Sequence, residues 1–287
     1  MKRFHANPAQ KTRRIDPTMR LNGTPLLPRC RRGLRCLGVA VLFALGAALS
    51  ERETFAQQNL FNVPVPAVAA EDKIFFQEQL NVGTVGSSNT TLDYGLGNNF
   101  EIGLNVFNVS LYPAVVPPLP GDAARNGVLI NMQKVFEPNE SWDIGVGTQQ
   151  GVSATTSSQK TEYMGFGWTV VEYDTHNNHG RYLAGAYIGN PMYTGKGNGV
   201  GWMLGCEYPL VPDKVHVMAD WIGGTNQISV AVFGAVVELP RHWQLSAGAQ
   251  VPSPGSQNPY GLVFELTRTA SNKSRGRGFS DFSRGAN

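Results

Sequence analysis

The chain has 287 residues, 41% of them apolar and only 16% charged, with 33 glycines. That length holds one large all-β domain or two small ones, and an aromatic-rich composition with a charged fraction well under the usual ~25% excludes a disordered chain. The net charge of +3 averages two unlike regions: residues 1–56 hold 11 Lys and Arg against Asp16, Glu51 and Glu53, and the remainder holds 13 basic against 18 acidic residues, so the main body is not a basic, nucleic-acid-binding one.

The first element in chain order is the apolar run CLGVAVLFALGAAL, Cys36 to Leu49, which follows Arg29, Arg31, Arg32 and Arg35. It is short for a spanning helix, which needs about 20 residues, and suits the h-region of a secretory signal. Residues 1–56 therefore read as a signal peptide with an extended basic n-region, or with Met19 as the true start. Cleavage falls before Gln57, with Ser50 as a second candidate position. Cys30 and Cys36 would leave with the signal, and Cys206 remains as a small packed hydrophobe rather than a nucleophile. Residues 57–72, with NVPVPAVAAED, read as a Pro-rich periplasmic lead-in.

From residue 73 onward the pattern alternates with period two, as in FEIGLNV from Phe100, WDIGVGTQ from Trp142, EYMGFGWTV from Glu162 and GVGWMLGCEY from Gly199. Alternation of this kind marks half-exposed strands. Turn residues divide it into twelve: 73–82, 90–97, 100–112, 127–137, 142–152, 162–175, 180–191, 199–208, 214–223, 228–239, 243–251 and 259–268. Every second connection is short, beginning with Asn98-Asn99, and those between them are mostly long, which is the up-and-down signature of a transmembrane barrel. An even strand count puts both ends of the barrel at the short-turn rim, the periplasmic one.

An exported sandwich would alternate too, but its outward faces would carry Lys, Glu, Arg and Thr. Here the less apolar faces are crowded with glycine, including Gly103, Gly145, Gly147, Gly165, Gly167, Gly201 and Gly205. Glycine lines a closed curve well, so the bulky faces are expected to point outward. Glu162, Glu172 and Glu238 break the rule by falling on bulky faces. Phe100, Trp142, Tyr208 and Trp243 adjoin short turns and Tyr112, Trp221 and Tyr260 stand at the other strand ends, as two interface girdles would require.

In these features the chain resembles Gram-negative outer-membrane β-barrel proteins over residues 73–269, with YGLVFELTR from Tyr260 as the closing strand. The resemblance implies an all-β, single up-and-down antiparallel barrel in the cell outer membrane. It also implies outer-membrane lipid and the outer-membrane assembly machinery as partners. The polar tail, residues 270–287, reads as disordered, and the chain lacks the C-terminal aromatic residue common in that family.

Strand alternation assigns Asp93, Glu101, Asp143, Arg181, Glu207, Lys214, His216, Asp220 and Glu265 to the lumen, with Tyr163, Tyr173 and Tyr187 narrowing it. An acidic majority in a narrow aqueous tube favours cations. The expected function is thus a passive pore for small solutes with that preference; the alternative is a structural or adhesive barrel with a blocked lumen and functional loops. No catalytic motif, cofactor fingerprint or metal-ligand spacing is read, His176 and His179 sharing an exposed turn, and nucleic acid is not an expected partner.

Overall fold

Val, Ile, Leu and aromatic residues at alternate positions, punctuated by Asn, Gly and Pro, leave no helical period and favour extended chain. The computed structural model describes residues 58–84, 86–112, 125–154, 161–175, 180–212, 214–256 and 258–269. Residues 1–56 (expected as a signal peptide), the polar tail, the His176–His179 turn and most of the Pro-rich loop after Tyr112 lie outside the described residues.

Twelve strands form one closed antiparallel barrel. They are β1 (Ile74–Val82), β2 (Gly86–Gly97), β3 (Phe100–Tyr112), β4 (Gly127–Phe136), β5 (Trp142–Ser153), β6 (Tyr163–Asp174), β7 (Arg181–Gly189), β8 (Val200–Val211), β9 (Val215–Ile222), β10 (Val230–Leu239), β11 (Trp243–Pro252) and β12 (Gly261–Arg268). Each pairs with its sequence neighbours, and β1 closes on β12, with Leu80 opposite Phe264. β2 is longer than its sequence pattern suggests because Ser87, Ser88 and Asn89 of its polar start also pair with β1, and Gly86 pairs with Tyr112 of β3.

The rims differ. At the short rim, Asn98 and Asn99 turn β2 into β3 with φ of 51° and 56°, the positive values of a type I′ hairpin. Arg241 and His242 adopt the same backbone region between β10 and β11, with φ of 62° and 67°. Connections at the opposite rim are mostly longer, and that between β7 and β8 contains a single helical turn, Pro191–Thr194.

Alternation fixes which side chains face out. In β8, Val200, Trp202, Leu204 and Tyr208 are exposed, Trp202 by 70%, whereas Met203 is fully buried. β6 departs from the sequence-based assignment. Met164, Phe166, Trp168, Val170 and Glu172 are buried, while Tyr163 and Tyr173 are exposed. Tyr163 and Tyr173 therefore do not narrow the lumen, and Gly165 and Gly167 lie on the outward face. A one-residue change of phase exchanges the two faces of a strand, and in β6 the bulk lies inside. It is accommodated by glycine on the neighbouring strand: a Cβ on Gly147 would strike the Trp168 ring. The inversion also removes an anomaly, because Glu172 belongs to the interior. β10 is inverted in the same way: Val230, Val232 and Val236 are buried, Phe233 is exposed, and Glu238 lies on the inward face.

Candidate functional site: a lumen closed from one rim

The interior is occupied by the chain's own segment ahead of β1. Residues 58–72, expected as a lead-in outside the barrel, lie within it. Leu60, Phe61, Val63 and Val65 are buried almost completely. The segment doubles back on itself: Leu60 N–H donates to Val63 O (3.0 Å), Val65 N–H donates to Gln58 O (2.8 Å), and Asn59 bridges Pro64. We call this the hairpin, with Phe61 and Asn62 at its tip.

Inward glycines make room for it. A Cβ on Gly205 would meet Leu60, and one on Gly234 or Gly248 would stand 2.6 or 2.8 Å from the Phe61 ring. On Gly145 it would approach Pro66 at 3.1 Å, and on Gly95 it would collide with the carbonyls of Ala69 and Ala70. These glycines sit on five strands around the barrel, so the segment touches the wall on all sides. It leaves through the short rim, where Glu71 pairs with Gly95 and Asp72 N–H donates to Gly95 O (3.0 Å).

Polar groups of the wall hold the hairpin's backbone. One oxygen of Asp220 accepts from three successive amides, those of Phe61 (3.0 Å), Asn62 and Val63 (2.9 Å). Glu101 accepts from Ala69 N–H (2.7 Å) and from the Gln58 amide. Gln133 donates to the carbonyls of Val65 (3.1 Å) and Ala67 (2.7 Å) and accepts from Trp168 Nε1 (3.1 Å). A buried backbone group without a partner is costly, and these three side chains remove that cost where the irregular segment cannot pair with itself.

Other inward charges are also committed. Arg181 donates through Nε (2.9 Å) and Nη2 (2.6 Å) to one oxygen of Glu207 and reaches Glu172 at 3.4 Å, while His216 Nδ1 meets the second Glu207 oxygen at 2.5 Å. Asp93 accepts from Asn131 (3.2 Å) and Glu238 from Gln244 (2.7 Å). Asp143 stands across from Glu172, and Glu265 across from Ser246, both buried. Lys214, assigned to the lumen from sequence, instead lies exposed in the turn before β9, because that strand starts one residue later.

Above the hairpin the lumen opens into a cup of about 520 Å³. Asn59, Phe61 and Asn62 form its floor, and it rises to Thr84, Tyr193, Gln227 and Asn258 of the long-connection rim. The helical turn places Tyr193: Asn190 caps it by accepting from Tyr193 N–H (3.2 Å), and Pro191 supplies the preset first position. Tyr193 then donates to Gln149 Oε1 (2.7 Å) and stacks between Phe107 and Phe166. Burial pushes its phenol pKa up, so it stays neutral.

Of the rim aromatics, Trp142 and Tyr208 are exposed at the short rim, with Phe100 and Trp243 half-buried there. At the other rim Tyr260 is 72% exposed. Tyr112 is tied to the β1–β2 connection by donating to Gly83 O (2.6 Å), and Trp221 donates to Ser253 Oγ (3.0 Å). Sequence reasoning missed Tyr94, Phe136, Tyr173 and Tyr182, which add exposed rings near the short rim. It also missed the amides of the cup, whose only signal was Asn and Gln recurring on one face of β1, QEQLN.

These features define a closed twelve-strand antiparallel β-barrel with an internal hairpin and a neutral cup. Neither protein-family models nor curated proteins yield a match to the chain.

Proposed function

We propose that this chain is an outer-membrane β-barrel, closed at rest by its own hairpin and offering small solutes a cup at the opposite rim. Its outer surface supports the membrane half of this reading. Among the described residues, only Glu78, Lys134 and Arg268 put a charge on an outward strand position. A water-facing barrel would carry roughly 25–35% charged residues on that surface. Lys134 and Arg268 lie near the short rim, where headgroups would meet them, and Glu78 accepts a hydrogen bond from Thr90 (2.5 Å). Closure of β1 on β12 leaves no unpaired edge, as hydrocarbon requires. The two unequal rims then correspond to short periplasmic turns and longer outer loops.

The observation that carries the closed state is the hairpin held on Asp220. It changes the reading of the lumen carboxylates, which would favour cations in an open tube. Asp220 and Glu101 bind the hairpin, and Glu172 and Glu207 bind Arg181. None of them lines the cup. Passage therefore requires the hairpin to move. Swelling of proteoliposomes in isotonic arabinose is the test: the unaltered chain is expected to give none. Rapid swelling would mean that solute passes freely and would overturn the closed state.

A further inference from the structure

The cup has a chemistry of its own. Its wall carries the carboxamides of Gln77 and Gln79 from β1, Asn89 from β2, Asn105 from β3 and Gln149 from β5, and none of the described residues lining it is charged. Beside the amides stands an aromatic face. Phe107 and Phe166 stack on either side of Tyr193, with centroids 4.5 and 4.6 Å away, and Trp168 is tilted against Phe166 at 5.7 Å.

Two residues that line the cup each have an amide atom without a hydrogen-bond partner within the protein: Gln77 Nε2 and Asn105 Oδ1. Gln77 is only 3% exposed and Asn105 only 5%. One donor and one acceptor left over in a buried wall call for an occupant that both accepts and donates. A charged solute would lose hydration here without meeting a counter-charge. An apolar one would leave the amides unpaired. A hydroxyl group matches both needs, and the flat aromatic face suits the C–H side of a sugar ring.

We propose that the cup binds a neutral polyhydroxylated ligand of mono- to disaccharide size. Its volume of about 520 Å³ falls within the ~300–1,000 Å³ of small-molecule sites. This inference rests on the closed-barrel reading above and names the class of solute for that same cup.

Tryptophan emission of the refolded full chain, titrated with maltose, sucrose and cellobiose, tests it, because Trp168 lies in the wall. At least one of these sugars is expected to give a saturable change, with sodium glucuronate at least tenfold weaker. Asn105→Leu and Gln77→Leu should each weaken the response about tenfold, as loss of one hydrogen bond does. Heat-modifiable gel migration identifies folded variants, and either one suffices. A flat titration with all three sugars overturns the proposal, as does equal binding of glucuronate or an unchanged response in a folded variant. Flat titrations from a preparation whose proteoliposomes do not swell in arabinose overturn the ligand class alone. Swelling of those proteoliposomes overturns the closed-barrel reading beneath it.

Discussion

Asp220 concentrates the hairpin's attachment in one carboxylate oxygen, which faces three consecutive backbone amides. Hydrogen bonds to a charged group contribute about 1.5–3 kcal/mol each, and a buried donor left alone costs about 1–3 kcal/mol. Asp220→Ala is therefore expected to release the hairpin while the barrel stays closed by its strands. Limited proteolysis would detect this as new cleavage within residues 58–72 with heat-modifiable migration retained. Asp220→Asn keeps an acceptor oxygen and should release it less. A second residue-scale expectation concerns Arg241 and His242, whose positive φ values carry strain of about 1–3 kcal/mol each. Replacing the pair by Asn-Gly should raise stability by about 1 kcal/mol or more, read from the urea midpoint.

At the scale of elements, β6 and the hairpin show where the sequence was and was not legible. The twelve alternating segments were visible because period two needs only local side-chain order. Which face pointed inward was inferred from glycine, and that rule worked in β8, where Gly201 and Gly205 face Tyr187 and Leu60. It failed in β6, where Phe166 and Trp168 fill space left by glycine on another strand, information that no single strand contains. The hairpin leaves no mark of its own in the sequence, because NVPVPAVAAED has no strand-like alternation long enough to show it. Its partners, Asp220, Glu101 and Gln133, come from distant strands. Packing of the tip gives an element-level test. Gly234→Val puts side-chain atoms where the Phe61 ring lies, and overpacking of this kind costs about 1–3 kcal/mol. Proteoliposomes carrying it should swell in arabinose. Gly167→Val, whose added carbon would face outward with its nearest neighbour 3.7 Å away, should leave them closed.

For the whole molecule, the strand number, the closed barrel and the unequal rims follow from repeated short-range signals, so they could be read before any contact was known. The filled lumen could not, because the inward glycines are the sites where the hairpin and inward rings pack. The outer surface offers its own check. Leu204 is exposed in the middle of β8. Leu204→Arg should cost about 2–4 kcal/mol if that surface meets hydrocarbon and less than about 0.5 kcal/mol if it meets water, a difference measurable by denaturant titration in lipid vesicles. Planar-bilayer recording of the unaltered chain beside Asp220→Ala decides between a membrane barrel closed by its own hairpin and an open one. The expected result is a silent unaltered protein and stepwise conductance from the variant; steady stepwise conductance from the unaltered protein, unchanged by the substitution, would contradict closure by the hairpin.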